Sequence, residues 1–203
     1  MSSTTNSLKL DWCSYQAAKH AVLNWHYSKA MPNAKLARIG VWEDGKFIGV
    51  ILYGRGATSA LVQRFGLKME EGCELVRIAI KSHKTPISRM VAIANKMLKK
   101  AFPKLRLIVS FADTSQGHHG GIYQAGGWVY SGMSTPAKEY IVGKKRYHGR
   151  SFRNSPYKNM EGHPSVKIVM GSAKHRYLMA LDDQMKAHIE KTRKPYPKRA
   201  PVV

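Results

Sequence analysis

Apolar positions change their period from one segment of the chain to the next, and those changes mark the elements. In residues 14–26 Ala18, Val22 and Trp25 share one helical face, and Ser14 is placed to cap its start. Residues 36–42 and 46–53 read as two strands of a hairpin, with Glu43, Asp44 and Gly45 supplying the turn. Residues 74–80, ELVRIAI, form a short apolar run that suits a strand buried on both faces. Its anomaly is Arg77, which strict alternation puts on the face of Leu75 and Ala79. Thr85 and Pro86 signal a helix start, with Thr85 as the cap and Pro86 at the first helical position. Met90, Val91, Ala94, Met97 and Leu98 keep helical spacing, and Lys99 and Lys100 suit the last turn. Residues 105–111 read as a further strand. Two strands joined by such a helix predict a right-handed βαβ unit whose carboxyl ends open into one crevice.

Around this centre the pattern is weaker. Residues 1–10 are expected to fray, residues 54–57 to form a flexible basic turn, and residues 58–73 to form a loop with a short helical piece. Two short strands are expected within 130–142, a basic loop over 143–164, and a hairpin of 166–170 with 175–181 around Gly171 and Ser172. The expected organisation is a flexible stretch 1–10, one α/β domain over 11–185 and a basic, disordered tail over 186–203.

Charge narrows the function. The chain carries 34 Lys and Arg against 12 Asp and Glu, a formal net charge of +22, which points to a polyanionic partner. Residues 144–158 mix Lys144, Lys145, Arg146, Arg150, Arg153 and Lys158 with Tyr147, His148, Phe152 and Tyr157, a mixture that suits phosphates and stacked bases. Cys13 and Cys73 form neither a ligand pattern nor a disulfide framework, which suits a reducing compartment. No apolar run reaches the roughly 18 residues of a membrane span, so no membrane partner is expected.

The candidate chemistry gathers at the crevice. Arg77, Ser88, Asp113 and Tyr123 are expected to converge there. Asp113, just past an apolar strand, can accept a proton or simply cap the loop that follows. Arg77 is costly if buried unpaired, so it either pairs with Asp113 or Glu74 or grips a ligand. Lys84 and Arg89 flank a helix start where an anion is favoured. His118 can join His26 and Asp113 in a mixed His and carboxylate set of the kind iron accepts.

Hairpin, strand, turn, helix, strand and then YQAGGW resemble the layout of the GCN5-related N-acetyltransferases (GNAT). A tighter resemblance is carried by HYSKAMP, GVWEDGKFIGVILYGRGA, ELVRIAI, TPISR, SFADTSQGHHGGIYQAGGWVYSG and KHRYLMAL, which in this order look like the Mom family of bacteriophage DNA-modification proteins. The resemblance implies a GNAT-like α/β single domain, a mixed twisted sheet flanked by helices with a basic C-terminal extension. It also implies conversion of adenine in double-stranded DNA to N6-carbamoylmethyladenine, protection from restriction, and action in the host cell cytoplasm. Asp113, Tyr123, His26, Arg77 and Ser88 are then the catalytic set. Tyr27, Ser28, Arg55, Lys84, Arg89, Gln116, Lys144, Lys145, Arg146 and Arg150 are the residues expected to meet DNA or substrate. The family's link to iron makes His26, Asp113 and His118 the metal candidates. The donor, a small molecule or a carrier, is left open, as is the oligomeric state, a dimer included. One departure counts against coenzyme A: the turn SHKTPISR has no glycine, and glycine is what lets a backbone approach a pyrophosphate. The competing readings are an acetyl-CoA-dependent N-acetyltransferase acting on a protein or RNA amine, and a non-enzymatic DNA-binding protein.

Overall fold

The computed structural model describes residues 7–56 and 60–199, except the side chain of Arg150. In chain order the elements are β1 (Leu8–Trp12), α1 (Tyr15–Trp25), β2 (Leu36–Glu43), β3 (Lys46–Gly54), α2 (Ala60–Gln63), β4 (Gly72–Ile80), α3 (Ile87–Ala101) and β5 (Leu107–Asp113). They continue as α4 (Gly121–Ala125), β6 (Val129–Met133), β7 (Lys138–Val142), β8 (Lys145–His148), α5 (Gly149–Arg153), β9 (Val166–Met170), β10 (Lys174–Ala180) and α6 (Asp183–Glu190). Among the described residues one sheet runs β1-β2-β3-β4-β5-β10-β6 and a second, smaller one runs β8-β7-β9. The main sheet is mixed: β4 and β5 are parallel, and its other neighbours are antiparallel.

Helices cover both faces. Ala18, Ala21 and Val22 of α1 pack on Val50, Leu52 and Ala79, while Met90, Val91, Ala94 and Leu98 of α3 join Ile51, Leu75 and Ile108 on the opposite face. Ser14 caps α1, its hydroxyl accepting from the Ala17 N–H at 3.1 Å. Asp44 and Gly45 turn the β2–β3 hairpin with positive φ at both residues, the requirement of a tight type I′ turn.

Several expectations are corrected. Residues 8–10 are not frayed, since β1 pairs along β2 and extends the sheet. Pro86, not Thr85, occupies the cap position of α3; no side chain caps it, and Thr85 is buried instead. Residues 166–170 and 175–181 do not pair with each other. β9 joins β7 in the small sheet, whereas β10 inserts between β5 and β6. The basic stretch 143–164 is not a plain loop but contributes β8 and α5 to that module. Phe152 is fully buried and stacks on Tyr140 with ring centroids 4.0 Å apart, and Tyr147 and Tyr157 pack beside it. These rings form the module's core, which withdraws Phe152 from base stacking while Tyr147 and Tyr157 stay partly exposed and His148 exposed. Residues 186–199 are not a loose tail either: α6 buries Met185 and Ile189, and the chain beyond it packs back onto the sheet. Residue 57 of the basic turn, residues 58 and 59 of the following loop, and residues 200–203 of the tail lie outside the described residues.

Candidate functional site

Two features of β4 shape the site. It pairs with β5 only from Gly72 opposite Leu107 to Leu75 opposite Ser110. Beyond that point β4 continues along β3 to Ile80 and β5 along β10 to Asp113, so the parallel strands diverge. The second feature is a register shift: Tyr53 faces Leu75 and Leu52 faces Arg77, which leaves Val76 as an extra residue. A bulge of this kind reverses the alternation that follows it. Leu75 therefore joins the α3 core while Arg77 turns to the α1 face with Ala79, which corrects the alternation expected for the three. That inversion brings Arg77 toward His26 at the end of α1, whose charge is felt there.

The gap between the strands is a cavity of about 650 Å³. Its lining includes His26, Tyr27, Arg77, Asp113, His118 and Tyr123, so six of the sequence candidates come together. Behind its lining the buried Ser110 hydroxyl lies 2.9 Å from the Leu75 carbonyl oxygen and 2.7 Å from the Tyr123 phenol oxygen. A carbonyl can only accept, so Ser110 donates to Leu75 and the Tyr123 O–H donates to Ser110. Burial pushes the Tyr123 phenol up to about 12.

His26 is buried, and desolvation first, then the charges of Arg77, His118 and Lys29, lower its pKa to about 4. The Ser28 backbone N–H donates to His26 Nδ1 at 3.1 Å, so the neutral ring carries its proton on Nε2. His26 thus offers the site a donor rather than a base. Asp113 also differs from a free carboxylate. Burial would raise its pKa, but the Ser115 hydroxyl, the Lys174 ammonium 2.9 Å away and the Ser115 N–H together hold it below the ordinary value. Its pairing partner is Lys174, not Arg77. Arg77 donates from Nη1 to the Val76 carbonyl at 2.9 Å, and among the described residues its buried Nε has no hydrogen-bond partner. An unmet buried donor costs about 1–3 kcal/mol, which makes this N–H an unusual polar group at the cavity wall.

The remaining candidates lie elsewhere. Ser28 touches the cavity only through His26, and Gln116 is exposed on the turn after Asp113. Ser88, Lys84 and Arg89 do not line the cavity. Arg55 borders a separate apolar cavity of about 530 Å³ with Trp12, Arg38 and Phe102. Lys144, Lys145 and Arg146 are exposed on the small sheet, where Arg146 pairs with Glu139. The side chain of Arg150 lies outside the description. Residues the sequence reading passed over are Ser110, Lys174 and Arg199, all at or beside the cavity. A lone serine in the apolar run LIVSFAD was the available signal for the first; the other two carry none.

The described residues do not fit iron, the metal expected from the sequence, and, as the glycine-free turn led one to expect, they do not fit coenzyme A in its usual manner either. His26, Asp113 and His118 share the cavity, yet among the described residues no three His, Cys, Asp or Glu side chains form a group that could hold a metal ion. Both Asp113 oxygens and the His26 Nδ1 are already engaged. The turn before α3 does not fit a pyrophosphate: the Lys84 and Thr85 N–H groups both donate, at 2.8 Å, to the carboxylate of buried Glu43. The Lys84 ammonium is drawn to Asp44 at 3.0 Å. An internal carboxylate thus stands where an anion would bind.

Comparison with known proteins agrees with this architecture. The model of the Mom protein family matches residues 7–198. The methylcarbamoylase mom of Escherichia phage Mu is 24% identical over 148 residues, covering 71% of this chain and 61% of that protein. The match therefore spans less than two thirds of the relative's length. Among solved structures, FeeM, an N-acyl amino acid synthase from uncultured soil microbes, superposes with a TM-score of 0.51 at 10% identity, covering 94% of this chain and 99% of that one. An aminoglycoside acetyltransferase solved with coenzyme A and kanamycin gives a TM-score of 0.51 at 10% identity, covering 93% and 100%. The shared feature is the fold, which is GNAT-like.

Proposed function

Because the chain belongs to the Mom protein family, we propose that it is a DNA-modifying transferase that places a carbamoylmethyl group on N6 of adenine and so shields phage DNA from restriction in the host. The observation that carries this reading is the diverging-strand cavity, which collects a carboxylate, a phenol, a neutral imidazole and an unsatisfied guanidinium N–H in a strongly basic chain. The name of the phage Mu relative, a methylcarbamoylase, supports transfer of a small carbamoyl-bearing group.

Adenine N6 is a poor nucleophile inside a duplex, so the base must leave its stack. A volume of about 650 Å³ has room for a nucleobase beside a small donor. Tyr27, about half exposed, and His118 meet edge to face with centroids 5.5 Å apart at this cavity and provide a surface against which the base can rest. Asp113 stays ionised and accepts a hydrogen bond from N6–H, orienting the amine lone pair toward the donor carbon. The new bond runs from N6 to that carbon, the bond to the leaving group breaks with its electron pair going to the leaving group, and the proton that N6 loses passes by way of the Asp113 carboxylate to solvent. His26 Nε2–H and Arg77 Nε–H supply donors for the donor molecule's oxygens, and Tyr123, a phenol that keeps its proton at neutral pH, closes the inner end. The coenzyme-A-dependent alternative asks for the amides that Glu43 occupies.

Nucleoside mass spectrometry on DNA from cells expressing the chain tests the proposal. N6-carbamoylmethyl-2′-deoxyadenosine is expected, and Asp113→Asn should lower it about 100-fold or more with DNA binding retained. Unmodified DNA from the wild-type chain, or an N6-acetyl product, would sink it.

A further inference from the structure

The C-terminal segment follows a path that a cover for the sheet edge does not explain. Its root is fixed: Asp182 caps α6 by accepting from the Met185 N–H at 2.8 Å and forms a two-point ion pair with Arg106 at 2.8 and 3.1 Å. Beyond α6 the Lys194 N–H donates to the Tyr130 carbonyl at 2.8 Å, the Tyr196 O–H to the Trp128 carbonyl at 2.6 Å, and Gln124 Nε2 to the Pro197 carbonyl at 3.1 Å. Pro195 and Pro197 restrict the backbone between these points, and the anchors carry the strap across the edge strand β6. Covering that edge needs only residues 194–196. The chain continues, and Arg199 arrives at the wall of the cavity.

Among the described residues three cations line that cavity, and they are not equivalent. Lys174 is paired with Asp113, and Arg77 is half-buried and bonded to the Val76 carbonyl. Arg199 is exposed, and none of the ion pairs among the described residues includes it. A guanidinium held at a site's mouth by a pinned strap is suited to grip a phosphate, whose oxygens match its fork.

Resting on the reading above, in which a nucleotide enters the cavity, we propose that the strap delivers Arg199 as a phosphate-binding residue of this site, gripping the DNA backbone phosphate beside the extruded nucleotide. The contact lies outside the reacting atoms; it sets where along the strand the base is drawn in.

The test uses the full chain carrying Arg199→Ala, Arg199→Lys or, on the exposed face of α3, Lys96→Ala. Binding of a duplex oligonucleotide is followed by fluorescence anisotropy across a potassium chloride series, and DNA from expressing cells is assayed for modified adenosine. Arg199→Ala should weaken binding about 3- to 10-fold and lower the slope of log Kd against log salt by about 0.9, the loss of one phosphate contact. Modified adenosine should fall with it. Arg199→Lys should restore the slope, and Lys96→Ala should change neither readout. An unchanged slope for Arg199→Ala overturns the assignment, and if modification alone falls, the anion belongs to the donor. An equal slope loss in Lys96→Ala shows bulk surface charge and overturns it likewise. A wild-type chain that binds DNA but leaves no modified adenosine defeats the reaction proposed above, while the slopes still decide Arg199.

Discussion

Asp113 accepts from Ser115 on one oxygen and pairs with Lys174 on the other, and this double tether decides what it can do. A carboxylate so held is a weak base and a well-aimed hydrogen-bond acceptor, which is why orientation of the amine is the role that suits it. In the sequence Asp113 could be placed at a strand end, but Lys174 stands 61 positions away and its arrival depends on β10 sliding in beside β5. His26 makes the same point through pH. Its pKa is about 4 in the folded chain against an ordinary 6.5, so between these values the unfolded chain binds a proton that the folded one refuses. Stability should therefore be complete above about pH 6.5 and decline as pH falls toward 4. Thermal unfolding measured between pH 7 and pH 4.5 should show the midpoint dropping, with a shallower drop in His26→Asn. Parallel profiles for the two proteins would remove His26 as the source.

At the scale of elements, hydrophobic periodicity located nearly all of the central unit: α1, the β2–β3 hairpin, β4, α3 and β5 lie where the pattern puts them, within a residue or two. The pattern could not reveal the bulge at Val76, because a bulge is chosen by how two strands register and not by the composition of either one. Yet that single extra residue moves Arg77 from the α3 side of the sheet to the α1 side and so makes the site. Glu43 is a similar case. It reads as a turn residue of the hairpin, whereas in the fold it reaches across 41 and 42 positions to hold the amides that open α3. Glu43→Ala should cost about 2 kcal/mol or more, since two charge-assisted bonds are lost and the Thr85 N–H is left buried without that acceptor. Calorimetric melting checks this, and added pyrophosphate should raise the melting temperature of the variant but not of the wild type. A variant as stable as wild type would mean that the carboxylate does not hold the turn.

Across the whole molecule, charge and fold divide the work. The small sheet is inserted between β6 and β10, and because Lys174 pairs opposite Asp113 its stalk leaves the main sheet beside the cavity. Residues 134–173 hold eight Lys and Arg against two Glu, so the module carries a cationic surface next to the site. Lys144 and Lys145 are exposed there, whereas Arg146 is already paired with Glu139. Replacing both lysines with alanine should lower the salt slope of duplex binding by about 2, and adding Arg146→Ala should change it by less than another full unit. A slope that stays at the wild-type value would place the DNA track on another face. By itself the sequence determined the basic character, the α/β class, the βαβ centre and the residues worth testing, because periodicity, turn chemistry and charge are local or additive properties. Only the tertiary structure decided which of those residues meet, that Ser110, Lys174 and Arg199 join them, and that Glu43 occupies the anion turn. Those outcomes depend on strand order, on one bulge and on a chain that doubles back, all set by packing between segments distant in sequence.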